Sequence, residues 1–395
     1  MKFSSTILFY FAFFLIHLTK LGWLVSIPAV YFYISSFVNK VFQYRPAFIV
    51  YVLLFYSFIQ IIVKTGFQNL GFSAVLDAKL LMMFGIFLFF FSFSRFYKVN
   101  INYYLQTVIA SLFLYFLLFY LIQGNLVNFG LIRGDIGAVV IIAFCYLIPF
   151  SKEQIKKNII WIFLGLLLMA IFQGRASILV GCIILGYFIY ISLVHKAIEK
   201  KIFSLYLFLF ATFLMVAVFI FSSRAFDISE SFSGITVIES EARLMALYVL
   251  YEVLNKMTIS EIIFGNGLGV DYSQNIQCNL KFVCLHMQNI MTGNQGIYPA
   301  IGFHNEWIRI FVTFGIVGIV LTFAFFYYLW AKIRIEDSVL LKQKKIRFQL
   351  LLISSVCLMF SHGVLGTTIT GFIILSTLAL GYSDIQKESK LRYEI

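Results

Sequence analysis

The sequence predicts an all-α polytopic membrane protein with about twelve transmembrane helices. Of its 395 residues, 62% are hydrophobic and only 12% are charged. A soluble chain of this length would need far more polar surface. The apolar residues also come in runs close to the ~20 residues that cross a ~30 Å hydrocarbon core. We therefore expect one integral membrane domain over residues 1–395.

The predicted spans follow one another with short polar connections, with one exception described below. They cover residues 4–19, 21–38, 47–63, 79–94, 103–122, 135–150, 158–173, 176–194, 202–221, 305–330, 347–361 and 367–382.

The distribution of Lys and Arg predicts the orientation. With the N-terminus inside, alternating connections place 20 of the 30 basic and 7 of the 17 acidic residues on the inner side. The inner net charge is then +13, while the outer side holds 10 of each kind. Because cytoplasmic loops carry the excess of Lys and Arg, we expect a bacterial inner-membrane protein with both termini cytoplasmic. This one-sided charge is a topology signal, and it excludes nucleic acid as the partner.

One outer connection, residues 222–302, is 81 residues long. A loop of that length without a span is usually functional, so we look for chemistry on the periplasmic face. The loop contains Cys278 and Cys284, which an oxidising periplasm would allow to form a disulfide. The alternative is two unrelated thiols. The other three cysteines lie within spans and are expected to be packing residues.

His304 and Asn305 stand where this loop leads into the tenth predicted span. A helix N-terminus at the water boundary favours the neutral imidazole, which can accept a proton as a general base. The alternative is an interfacial histidine that only binds lipid headgroups. Gly315 and Gly318 follow on one helix face, where they would let a neighbouring helix approach closely.

Two arginines flank predicted spans on the same outer side. Arg175 lies in the short hairpin between the seventh and eighth spans, with no acidic residue near it in sequence. An arginine at membrane depth is costly unless it is paired or functional. Arg133 leads into the sixth span, and a local ion pair with Asp135 is the alternative explanation for it.

Arg243 opens a stretch with leucines and tyrosines at helical spacing, which predicts an amphipathic helix on the outer surface. The alternative is that Arg243 and the nearby Glu239 and Glu241 simply compensate one another's charge. Residues 263–269, I-F-G-N-G-L-G, follow as a glycine-rich turn without the Lys of a P-loop. We interpret it as a flexible return.

Three arginines and one histidine on the outer face suit group transfer from a diphosphate. A guanidinium group binds two phosphate oxygens in a bidentate manner and stays charged, and a histidine can deprotonate an attacking hydroxyl. Since ATP and sugar nucleotides are absent outside the cell, the donor would be a lipid-linked diphosphate. No chelating His spacing and no D-x-D pair occur, so no metal or other cofactor is expected.

These residues resemble the O-antigen polymerase and O-antigen ligase superfamily (Wzy/WaaL-type proteins). The ligase-type pattern is His, then Asn, Ser or Gln, nine residues, Gly, two residues, and Gly, Thr or Val. His304, Asn305, Gly315 and Gly318 fit it without a gap. The resemblance covers roughly residues 125–330, and the family's hairpin Arg, loop Arg and F-G-x-G turn resemble those found here.

The resemblance implies a GT-C-like fold and metal-independent glycan transfer from undecaprenyl diphosphate. His304 would be the base on the acceptor hydroxyl, and Arg175, Arg243 and Arg133 would hold the donor diphosphate. The partners it implies are lipid-linked oligosaccharides, membrane lipids and a chain-length regulator protein.

Three functions fit the pattern. A polymerase moves the growing chain to the next lipid-linked repeat unit, and this is the preferred interpretation. A ligase shares the motif and moves the finished chain to lipid A-core. A lipid-linked oligosaccharide flippase or other transporter is the third, although transporters usually show repeated halves and broken or polar helices near the midplane.

Overall fold

The fold is taken from a computed structural model of the chain. The structure describes residues 26–65, 84–95, 99–123, 133–172, 175–199, 202–212, 214–215, 250–251, 254–267, 306–331, 339–361 and 368–393.

Within these residues every regular element is helical and no strand occurs. The helices are α1 (Ser26–Val38), α2 (Arg45–Gln60, extended by a π-turn over Ile61–Thr65), α3 (Phe84–Arg95), α4 (Ile101–Gln123), α5 (Arg133–Leu147), α6 (Lys152–Phe172), α7 (Arg175–His195), α8 (Ile202–Thr212), α9 (Ile259–Phe264), α10 (Glu306–Ala331), α11 (Val339–Ser361) and α12 (Thr368–Tyr393). The first predicted span, residues 4–19, lies outside the described residues.

Helix α5 forms the centre of the bundle. From Ile136 to Leu147 its side chains are buried, apart from half-buried Phe144. It contacts α4, α6, α7, α11 and α12. A helix that is apolar all round is expected at such a position, because neighbours cover every face of it.

Large apolar side chains are exposed on the outer surfaces of the other helices. Examples are Phe55 and Phe58 on α2, Phe163 on α6, Tyr190 on α7 and Tyr327 on α10. Three segments have the length and composition to cross a membrane: Arg45–Lys64, Ser177–His195 and Glu306–Ala331. The all-helical prediction is therefore confirmed for the part of the chain that the structure describes, and the exposed apolar faces indicate a membrane-embedded protein.

One end of the bundle, here called the basic end, gathers charged side chains from several helices. Arg95 donates to the carbonyl of Asn39 at 3.1 Å, and Lys387 donates to the carbonyl of Ser94. The members of the cluster are Arg45, Arg95, Lys344, Arg347, Asp384 and Lys387. The sequence predicts all of them on one side, and they do share one end.

Arg347 anchors the end of α5 within this cluster. Its guanidinium donates to the carbonyl of Ile148 at 3.2 Å and to Oε1 of Gln154 at 3.0 Å. It also lies over the Phe150 ring, 5.2 Å from the ring centre. The residue is buried, so these contacts replace its lost hydration.

The starts of α5 and α7 lie at the opposite end. Helix α6 runs antiparallel to α5, since the Asn158 amide donates to the carbonyl of Leu147. Only two residues separate α6 from α7, so α7 runs back beside α5, and Phe188 meets Phe150 with ring centres 5.3 Å apart. Both helices therefore run toward the basic end, and Arg133 and Arg175 begin them at the other end.

Three cysteines packed in the helices agree with their predicted structural role. Cys145 and Cys182 are buried, Cys357 is half-buried, and all three are free thiols. Cys278 and Cys284 lie outside the described residues, so their disulfide stays a prediction.

Replacing Arg347 with Met should lower the free energy of unfolding by about 1–3 kcal/mol, because the Ile148 carbonyl and Gln154 lose their donor while buried. Thermal unfolding of the purified protein in detergent measures this change. Lys157→Met removes an exposed pair with Glu153 and should change stability by less than about 0.5 kcal/mol. Equal effects of the two substitutions would contradict the anchoring role.

Candidate functional site

Helix α10 is broken at Gly315, where φ is 66° and ψ is −163°. The Trp307 and Phe323 rings stack with centres 4.5 Å apart. In a straight helix sixteen residues would separate their Cα atoms by about 24 Å. The chain therefore folds back at Gly315 into two arms, residues 306–314 and 316–331. The predicted span over 305–330 thus corresponds to α10, which is long and apolar enough to cross a membrane but is not straight.

The break frees backbone carbonyls, and these are taken up by other segments. The N–H of Asn266 donates to the Val312 carbonyl at 3.0 Å, and the N–H of Gly267 donates to the Thr313 carbonyl at 3.1 Å. The Tyr56 hydroxyl donates to the Phe314 carbonyl at 3.1 Å. Buried carbonyls need such partners, so the break is stable only with these segments in place.

Gly315 and Gly265 meet backbone to backbone. A Cβ at Gly315 would lie 2.4 Å from the nitrogen of Gly265, and a Cβ at Gly265 would lie 2.2 Å from the Thr313 carbonyl oxygen. Both glycines have positive φ, 66° and 77°. Only glycine fits this contact, both for its conformation and for its size.

Two interpretations from the sequence are corrected by this contact. The glycine-rich turn is no flexible return, since the N–H groups of Asn266 and Gly267 donate to carbonyls of α10. Gly315 admits this turn rather than a neighbouring helix, because its backbone leaves the helical conformation. At Gly318 the nearest atoms belong to Phe314 and Ile310 of the other arm of α10.

A polar face of α2, formed by Tyr56, Gln60 and Lys64, holds the turn from the other side. The Tyr56 hydroxyl donates to the Phe264 carbonyl at 2.6 Å, and the Gln60 amide donates to the same carbonyl. Lys64 donates to the carbonyl of Gly265. These three residues recur every fourth position, so they line one face of the helix and its extension.

Helix α9 leads into the turn with a reciprocal cap. The hydroxyl of Thr258 accepts from the N–H of Glu261, whose carboxylate accepts from the N–H of Thr258. The Thr258 N–H, with its hydroxyl and the Lys64 ammonium, lowers the pKa of the Glu261 carboxyl below its ordinary value. Glu261 is therefore ionised at neutral pH and faces the basic Lys64.

The first arm of α10 begins at a buried carboxylate. Glu306 is fully buried, and its Oε1 lies 3.7 Å from Nη1 of Arg309. The Trp307 ring is 5.5 Å from that of Phe360 in the last turn of α11. Because α11 starts at the basic end, α10 begins in the half of the bundle where α5 and α7 also begin.

The structure describes only part of the site predicted from sequence. His304, Asn305 and Arg243 lie outside the described residues, while Arg133 and Arg175 are placed by their backbones as the first residues of α5 and α7. The described residues bring no three His, Cys, Asp or Glu side chains together, and metal independence stays a prediction.

Sequence reasoning missed the partners of the glycine-rich turn and the burial of Glu306. The i, i+4, i+8 spacing of Tyr56, Gln60 and Lys64 at the end of an apolar span was a readable signal. The sequence alone does not predict which segment this face contacts.

No protein-family model matches the chain, and a search of curated proteins finds no significant match.

Gly315→Ala should lower the free energy of unfolding by more than about 2 kcal/mol, because the new Cβ needs a strained φ and meets the Gly265 backbone. Thermal unfolding in detergent checks this. Gly186→Ala is the matched control, since its Cβ would meet only the edge of the Phe210 ring at 3.3 Å. We expect a change within about 1 kcal/mol there. A tolerated Gly315→Ala would show that the turn does not dock this closely.

Proposed function

We propose that this protein is an O-antigen or surface-polysaccharide polymerase. It would transfer an undecaprenyl-diphosphate-linked glycan chain onto the next lipid-linked repeat unit at the periplasmic face. The proposal includes about twelve transmembrane helices in a GT-C-like arrangement, no cofactor, and a chain-length regulator as a further partner.

One observation carries the proposal: α5, α7 and α10, which begin at or just after Arg133, Arg175 and His304, start in the same half of the bundle. Arg133 and Arg175 are the first residues of two helices in contact, α5 and α7. Glu306, which follows directly after His304 and Asn305 in the sequence, is buried in that half beside α11. Residues more than 100 positions apart are thus candidates for one pocket.

The charge at the other end supports the orientation. Arg45, Arg95, Arg347 and their neighbours gather at the basic end, and the rule for Lys and Arg assigns such an end to the cytoplasm. The half that contains the starts of α5, α7 and α10 would then face the periplasm, where lipid-linked donors are available.

The reaction proposed is a single displacement. His304 removes the proton from the acceptor hydroxyl, whose oxygen attacks the anomeric carbon of the donor sugar. The bond from that carbon to the diphosphate oxygen breaks, and undecaprenyl diphosphate leaves with its electron pair. Arg175, Arg243 and Arg133 would bind the charge that develops on the diphosphate, which lowers the barrier.

Ligation to lipid A-core would use the same residues and is the alternative.

Transport is favoured by one observation, the broken helix α10, since transporters often bind substrate at such breaks. In α10, however, the freed carbonyls of Val312, Thr313 and Phe314 already accept hydrogen bonds from this chain's own donors. The break is therefore closed by the protein rather than open to a substrate.

Deletion of the gene, followed by electrophoresis of the surface glycan, tests the proposal. A single-repeat band is expected, because unpolymerised units would still be ligated. Loss of all repeats from lipid A with polymer left on the lipid would instead indicate a ligase, and an unchanged ladder would remove both enzymes.

Complementation of that strain with His304→Ala should give no ladder, because the acceptor hydroxyl loses its base. The expected loss of rate is at least about 100-fold. Membrane insertion, read from the amount of full-length protein in the membrane fraction, should equal that of the wild type. A normal ladder from this variant would refute the role of His304.

Arg175→Lys should reduce polymerisation strongly, since a point charge replaces a planar guanidinium that binds two phosphate oxygens. The ladder should shorten while the membrane level of the protein stays the same. Arg95→Lys, at the basic end, is the matched control and should keep the normal ladder. Full function of Arg175→Lys would mean that Arg175 only anchors its hairpin.

A further inference from the structure

We propose that the polar face of α2 consists of positioning residues for the reaction, acting through the 265–267 turn on the first arm of α10. This inference rests on the proposed function. It assigns roles to Tyr56, Gln60 and Lys64, residues far in sequence from the predicted site.

The first step is the two-sided hold on the turn. On one side α2 donates to the carbonyls of Phe264 and Gly265. On the other side the N–H groups of Asn266 and Gly267 donate to α10. The turn is thus fixed between α2 and the vertex of α10.

The second step is the direct link from α2 to the vertex. The Tyr56 hydroxyl shares its single proton between the carbonyl of Phe264, at 2.6 Å, and that of Phe314, at 3.1 Å; Phe314 is the last residue of the first arm. Gln60 donates to the Tyr56 hydroxyl at 2.9 Å and so fixes its direction. One hydroxyl therefore joins the turn to the arm.

The third step is the lever that the arm provides. The arm covers residues 306–314, about 12 Å of helix. In the sequence, His304 precedes the first residue of the arm by two positions. A displaced vertex would move the start of the arm, while α5 and α7, which carry Arg133 and Arg175, would stay in place.

This separation predicts a distinctive kinetic effect. Loss of the hold should lower the turnover number, because a displacement of about 1 Å at a reacting group costs up to about 100-fold. The KM for the lipid-linked donor should stay within about twofold, since Arg133 and Arg175, two of the three proposed diphosphate-binding arginines, are on α5 and α7. A general loss of stability would instead lower the amount of active protein and leave the turnover number of the folded enzyme unchanged.

The test uses the full-length protein in nanodiscs with four single variants. Tyr56→Phe removes the shared hydroxyl, Lys64→Met removes the cation, and Lys64→Arg keeps a donor to the Gly265 carbonyl. Tyr51→Phe is the matched control, because it removes a hydroxyl from the same helix that contacts Tyr33 and Ser36 near the basic end.

The hydrogen-exchange rates of the Asn266 and Gly267 amides measure how firmly the turn is docked, without any enzyme assay. Tyr56→Phe and Lys64→Met should speed this exchange about tenfold, since docking hydrogen bonds protect these amides. Lys64→Arg and Tyr51→Phe should exchange like the wild type. Unchanged exchange rates in Tyr56→Phe and Lys64→Met would contradict the claim that α2 fixes the turn.

Polymerisation of purified lipid-linked repeat units reads the positioning role. The turnover number should fall about 10-fold or more in Tyr56→Phe and Lys64→Met and recover in Lys64→Arg. Faster exchange with an unchanged turnover number would overturn the positioning role alone. An unchanged glycan ladder in the deletion strain would remove the proposed reaction and this role with it, while the exchange result would still decide whether α2 holds the turn.

Discussion

The arrangement around the break in α10 depends on one constraint: backbone carbonyls freed inside an apolar bundle must find donors. The break at Gly315 frees those of Val312, Thr313 and Phe314, and the turn and Tyr56 supply the donors. Water is not available to do this at a buried position. The break, the turn and the polar face of α2 therefore form or fail together.

The basic end follows the same logic with side chains. Arg347 satisfies the Ile148 carbonyl beyond the last turn of α5, and Lys344 pairs with Asp384 at 3.0 Å. Apolar packing along the middle of the bundle has little direction, since one hydrocarbon contact resembles another. Polar contacts at the two ends fix the position of each helix along the bundle axis, and so fix the level at which α5 and α7 begin.

Much of the helical pattern could be predicted from hydrophobic runs alone. The apolar run over 176–194 matches α7, and that over 103–122 matches α4. The polar face of α2 could also be seen, because Tyr56, Gln60 and Lys64 repeat at helical spacing. Its partner could not, since the turn lies about 200 residues away and neither segment encodes the other's position.

The sequence by itself determined a helical membrane protein, the course of its apolar helices and the gathering of basic residues at one end, because hydropathy and charge are written residue by residue. Only the tertiary structure decided that α10 folds back at Gly315 and receives the 265–267 turn. Two glycines in a G-x-x-G pattern suit a straight packed helix as well as a broken one. The choice depends on which distant donors reach the freed carbonyls, and that is a property of the assembled bundle.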